Sequence, residues 1–215
     1  GSITKWYDRN PHPDARNDST ASTILQAPKY YRKCINDLPC LKFDGVNNYL
    51  TIAGTNSLTL GDYSVFIVAQ RVNSQTGPLI GSDSASLQNE SLEFGYRLTN
   101  QIYWGQGLSS KRRRYEDPRI TQNNPIIHSF INATNKNSDT AAIEYYLNSD
   151  LVPASNPAVD IDFTSTTLSS SLDVGKRNSI YFEGNIGEII MLPFAVSKAQ
   201  RIAIQEYLLT KWFIK

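Results

Sequence analysis

The chain has 215 residues, 21 Lys+Arg against 20 Asp+Glu, and 40% hydrophobic, 11% aromatic and 19% charged residues. Balanced charge on an apolar-rich chain excludes intrinsic disorder, gives no reason to expect nucleic acid or an anionic membrane as partner, and one Met without sustained heptads excludes a coiled coil. No apolar run approaches the roughly 18 residues of a membrane span, so no membrane insertion is expected, and abundant Ser, Thr, Asn, Tyr and Ile suit β-structure.

Gly1-Ser2 resembles the scar of a protease cleavage and is set apart from the fold. Residues 3–28 read as a polar, irregular arm anchored by Trp6-Tyr7. Cys34 and Cys40 flank Asn36, Asp37 and Pro39, turn formers that mark a hairpin tip. A Cys34–Cys40 disulfide is expected there, with two unrelated small apolar residues as the alternative; a bridge favours an extracellular or virion-surface setting. Two Cys with distant His12 and His128 lack the spacing of a zinc site.

Short apolar runs between turn signals then recur at roughly 8–12 residues, the spacing of an all-β sandwich or barrel. They are Tyr49–Ile52, the doubly buried run Tyr63–Gln70, Pro78–Gly81, the alternating Ser91–Leu98, Gln101–Trp104, Ile126–Ala133, Ala142–Asn148, Leu172–Gly175 and Phe182–Leu192. Ser91–Leu98 and Gln101–Trp104 read as one hairpin, Ile126–Ala133 and Ala142–Asn148 as another. Pro153–Ser171 is Ser/Thr/Pro-rich but alternates Val159, Ile161 and Phe163, which suits an ordered loop or edge strand. Ser197 as N-cap and apolar Ile202, Leu208, Leu209 and Trp212 predict one amphipathic helix over 197–212, packed on the sandwich edge. Sequons at Asn17, Asn89 and Asn132 occur at about the chance frequency of a Ser/Thr-rich chain and carry no weight.

Three segments carry a resemblance. Phe43-Asp-Gly-Val-Asn-Asn-Tyr-Leu50, Tyr181-Phe-Glu-Gly-Asn-Ile-Gly-Glu-Ile-Ile-Met191 and the closing Ser197–Leu208 with Lys211-Trp212 resemble, in order and separation, the laminin-G-like, concanavalin A-like domains. Tyr145-Tyr-Leu-Asn148 is similar to a further motif of that family, with Ser149 where Gly is usual. The resemblance spans roughly residues 40–215. It implies an all-β antiparallel jelly-roll β-sandwich with one C-terminal α-helix, a single domain over 3–215. Such domains occur in secreted, adhesin and virion-surface proteins, often as glycan or protein binding modules; the fold alone does not decide between them.

Catalytic chemistry finds little support. Concanavalin A-like glucanases need paired carboxylates at the sugar; Asp160 and Asp162 have the spacing but no third acid, and Glu116-Asp117 are adjacent and point apart on a strand. Glu188 lies in a motif common in binders without chemistry. A sialidase needs arginines converging from separate strands, whereas Arg112, Arg113 and Arg114 are consecutive. There is no G-x-S-x-G and no phosphate-cradling glycine loop. Asp62, Asp83, Asp139 and Asp160 are scattered over separate loops, so no cofactor is expected and calcium finds no concentrated ligand set.

Strand parity puts Arg97, Tyr103, Glu144 and Tyr146 opposite core rows, with His128 ambiguous. If the strands adjoin, these five form one outer ligand face, with tyrosine plates for a sugar; ordinary cross-strand pairing is the competing reading. Lys111, Arg112, Arg113 and Arg114 read as a solvated or protease-sensitive loop, or as a patch for sulfated or sialylated glycans. The expected function is a non-catalytic carbohydrate-binding or attachment module, with a glycan or glycoprotein as partner beside other domains of a larger parent protein. A structural or protein-interaction domain of a surface assembly is the alternative, and a glycoside hydrolase a third.

Overall fold

A computed structural model describes residues 1–12, 16–55, 59–82, 92–106, 112–133, 143–155, 166–168 and 171–215. The first half carries β1 (Lys5–Trp6), β2 (Ser19–Thr20), β3 (Lys29–Ile35), β4 (Leu38–Asp44), β5 (Leu50–Ile52), β6 (Thr59–Leu60), β7 (Tyr63–Arg71), β8 (Gly77–Ser82), β9 (Leu92–Arg97) and β10 (Gln101–Gln106). Then follow β11 (Arg112–Glu116), β12 (Ile126–Asn132), β13 (Ile143–Leu147), β14 (Asp150–Leu151), β15 (Thr166–Thr167), β16 (Leu172–Val174), β17 (Lys176–Arg177), β18 (Ile180–Tyr181) and β19 (Glu183–Leu192), and helix α1 (Lys198–Trp212). Lys111, Asp83, Asp139, Asp160, Asp162, Asn89 and the Val159–Phe163 alternation lie outside the described residues.

Two antiparallel sheets make the sandwich. One has eight strands in the order β1-β2-β5-β16-β8-β9-β10-β11, the other seven in the order β14-β13-β12-β7-β19-β4-β3. Period-two alternation sends Phe94, Tyr96, Ile102 and Trp104 of the first and Val65, Ile67, Phe130 and Tyr145 of the second into one core. Phe94 meets Phe130 across it at 4.5 Å between ring centroids. Trp104 Nε1 donates to Tyr63 Oη (2.9 Å), and that hydroxyl donates to Gln106 Oε1 (2.8 Å), so the polar tips are satisfied. Turn chemistry follows the sequence. Asp44 Oδ1 accepts from the N–H groups of Val46, Asn47 and Asn48 at 2.9–3.0 Å. Burial pushes the Asp44 carboxyl up, but these N–H bonds outweigh it and hold it below its ordinary range. Where Ser149 replaces glycine, Asn148 takes the left-handed position at φ 56°.

Cys34 and Cys40 form the expected bridge, with Cα atoms 5.7 Å apart, around the Asn36-Asp37 turn whose residues both have positive φ. Opening so short a loop as the Cys34→Ser/Cys40→Ser pair is expected to lower unfolding free energy by about 2 kcal/mol. Urea denaturation checks this, and an unchanged midpoint refutes it.

Three expectations are corrected. The N-terminal arm is not wholly irregular: β1 and β2 extend the eight-stranded sheet, with Ser19 and Thr20 opposite Ile52 and Thr51. Backbone pairing needs no apolar pattern at an edge, so hydropathy is silent there; Trp6 packs on the core and Tyr7 stays exposed. Arg112, Arg113 and Arg114 are not a loop but begin β11, the last strand of its sheet, because Tyr115 inserts into the core and sets the alternation. Helix α1 covers the outer face of the seven-stranded sheet rather than its edge, since Phe66, Val68, Ile127 and Ile131 point outward and need cover. It buries Arg201, Gln205, Leu208 and Trp212, while Ile202 is exposed. Its N-terminus is a capping box between Ser197 and Gln200. Among the described residues no helix is long and apolar enough to cross a membrane.

Candidate ligand-binding face

The five residues singled out by parity do not share a face. Arg97 and Tyr103 lie on the outer face of the eight-stranded sheet, Glu144 and Tyr146 on that of the seven-stranded sheet, across the sandwich. Parity orders a hairpin's two faces but does not say which sheet the hairpin joins. His128 belongs to neither face. It is fully buried between the sheets, with Nε2 2.8 Å from Tyr96 Oη and Nδ1 2.8 Å from Tyr145 Oη. Burial, helped by the nearby charge of Arg71, lowers its pKa to about 3, so it is a neutral core histidine.

The tyrosines are not open sugar plates either. Tyr103 is 3% exposed. Its hydroxyl lies over Gly95, where a Cβ would stand 2.7 Å from it, and the Arg112 guanidinium covers its ring at 5.1 Å. Tyr146 is roofed by Arg201 at 3.8 Å.

The register nonetheless assembles a charged patch on the eight-stranded sheet. Across β9, β10 and β11 the outward rows read Arg97, Gln101, Glu116; then Gly95, Tyr103, Arg114; then Glu93, Gly105, Arg112. Arg113 has the opposite parity and reaches the other sheet, donating to the Ile143 carbonyl at 3.5 Å. Glu93, 1% exposed, is held between two arginines. Arg112 Nε donates to Oε1 and Arg112 Nη2 to Oε2 (3.1 Å), while Arg177 Nε lies 2.5 Å from Oε2. Burial pushes the Glu93 carboxyl up, against the pull of Arg112 and Arg177. Arg177 comes from the β17–β18 hairpin, which folds over Gly81 of the sheet and is tied down again by Lys176–Asp173 at 3.3 Å.

Arg97 is the half-buried cation of this patch whose side chain has no recorded hydrogen bond or ion pair among the described residues. Burial, then the fields of Arg114 and Arg112, depress its guanidinium pKa. Arginines from separate strands therefore do converge, although the consecutive run alone does not. Sequence reasoning missed Arg177, which reaches the patch only through the tertiary path of its hairpin. Glu93 shares the parity of Arg97 on β9, which puts it on the same face.

The other acids have structural roles. Glu188 Oε1 accepts from Tyr207 Oη (3.0 Å), and Oε2 from Lys211 Nζ and Trp212 Nε1 (both 2.9 Å), so it clamps α1 to β19. Asp117 is taken up by Arg119, whose Nε donates at 2.9 Å. Among the described residues no group of three or more His, Cys, Asp or Glu could hold a metal; Asp62 is the one described member of the four aspartates considered for calcium.

No protein-family model and no curated protein matches the chain. Solved structures do match in fold. The chain is similar to the Trypanosoma rangeli sialidase solved with sialic acid, at 11% identity and TM-score 0.63, over 98% of this chain and 32% of that one. It is also similar to the receptor-binding domain of botulinum neurotoxin C/D mosaic serotype (12%, 0.60, 96% and 52%). A third is the Ruminococcus gnavus IT-sialidase CBM40 bound to α2,3-sialyllactose (9%, 0.52, 68% and 83%). The chain thus spans about a third of that sialidase and half of that toxin domain. At identities this low the likeness shows the fold alone, an antiparallel jelly-roll β-sandwich.

Proposed function

We propose that residues 3–215 are one non-catalytic carbohydrate-binding domain of a larger extracellular protein, and that it takes an acidic glycan on the outer face of β9, β10 and β11. The observation that carries this reading is the gathering of Arg97, Arg112 and Arg114 from two strands around Gln101 and the covered Tyr103. Crowded guanidinium groups are stabilised by a carboxylate or sulfate, which they bind in forked geometry. Two structural neighbours are solved with sialic acid and with α2,3-sialyllactose, which supports a glycan as partner. The disulfide supports an oxidising compartment. The non-catalytic reading is supported by Glu93, which is neutralised by two arginines and stands at the opposite corner of the patch from Glu116, not beside a second carboxylate.

Calorimetric titration with 3′-sialyllactose against lactose tests the reading. Binding is expected for the charged sugar and to weaken with salt. Arg97→Ala is expected to remove a charge-assisted bond of about 1.5–3 kcal/mol, a loss of ten-fold or more. Equal affinity for lactose, or no binding to either, overturns it.

A further inference from the structure

A second site is built on the opposite face of the sandwich. Between β13 and the start of α1 lies a recess of about 330 Å³, lined by Ile131, Glu144, Tyr146, Val196, Lys198 and Arg201. Arg201 is 92% buried on an exposure of 8%. Its guanidinium stacks on the Tyr146 ring at 3.8 Å, and Nη1 donates to Gln205 Oε1 at 2.6 Å. Gln205 passes the bond on to Ser129 Oγ at 3.1 Å, which fixes the guanidinium from behind. Among the described residues Nε and Nη2 have no partner and no carboxylate pairs with Arg201. A buried cation without a counter-ion is costly, and Arg201 lines the recess.

Two further features set the chemistry of the recess. The first turn of α1 has no acidic residue and carries Lys198 at the mouth, so side chain and helix N-terminus add positive potential. Glu144 also lines it, oriented by the Tyr146 hydroxyl, which donates to Oε2 at 2.8 Å and leaves Oε1 as an acceptor. Ile131 and Val196 supply an apolar lining.

We propose that this recess binds a carboxylate-bearing sugar residue: its carboxylate on Arg201 and Lys198, a hydroxyl donating to Glu144, and its C–H surface on Ile131 and Val196. The chemistry calls for an anion with hydroxyl donors. The choice of a sugar over another hydroxy acid rests on the glycan-binding reading above. With the β9–β11 patch, the domain would hold acidic residues of a glycan on both faces.

The test is NMR titration with methyl β-D-glucuronide against methyl β-D-glucoside, which differ in the carboxylate. Amide shifts at Ile131, Glu144, Tyr146, Val196, Lys198 and Arg201 are expected with the glucuronide only. They should weaken at least five-fold in Lys198→Ala, an exposed position that leaves the fold intact, and vanish in Arg201→Met. Arg97→Ala should leave them unchanged, which separates this site from the other face. Equal shifts with the glucoside, shifts confined to Arg97, Tyr103 and Arg112, or none at the recess amides would overturn the proposal.

Discussion

Trp212→Ala is expected to lower the unfolding free energy by about 3–5 kcal/mol, the cost of truncating a fully packed aromatic. The indole is 3% exposed and lies directly on the backbone of β19, where Gly187 makes room: a Cβ there would stand 2.4 Å from the ring. Its Nε1–H is one of the three donors that hold Glu188. Truncation therefore opens a cavity between helix and sheet and removes a donor from a half-buried carboxylate. Chemical denaturation measures the loss. Hydrogen exchange should place it in α1 and the outward residues of β7 and β12, because that cluster is separate from the inter-sheet core. Gly187→Ala should reproduce much of the effect by forcing the ring away. A loss under 1 kcal/mol for Trp212→Ala contradicts this account of helix docking.

Acid is expected to destabilise the fold well above the range where surface carboxylates titrate. His128 is buried and neutral with a pKa of about 3, while in the unfolded chain it titrates near 6.5. The unfolded state takes up the proton first. The stability is thus fully present above about pH 6.5 and is lost as pH falls towards 3. Between pH 6.5 and 4 this single group removes on the order of 3 kcal/mol. His128→Gln keeps a donor and an acceptor for Tyr96 and Tyr145 without a titrating ring. The stability difference between wild type and variant should therefore shrink by that amount across the interval. A difference that does not change with pH would show that the histidine reaches a proton without unfolding.

Much of the fold is legible because its signals are local. The Cys34–Cys40 hairpin, the Leu92–Gln106 hairpin and the Ser197 cap each rest on residues within a few positions of one another. The site is legible only in fragments. Parity assigned Arg97 and Tyr103 to an outer face, but only the strand order tells that Glu144 and Tyr146 lie on the other one. His128 was ambiguous because both faces of β12 are buried, one by the opposite sheet and one by the helix. The same helix explains why Ile202 misleads: α1 sits over Ser129, so Arg201 and Gln205 face inward with a polar partner beneath them.

The place of Arg112, Arg113 and Arg114 on the last strand of the eight-stranded sheet has a second consequence. An edge strand offers unpaired N–H and C=O groups to any other chain with a free edge. Here Ser155 takes the Arg114 carbonyl at 2.8 Å, and Tyr115 bridges to Ala154. Arg112 and Arg114, outward on this strand, put positive charge along that border, which disfavours pairing with a second copy. Replacing both Arg112 and Arg114 by Ser is therefore expected to raise self-association, read by light scattering against concentration, as the border loses its charge.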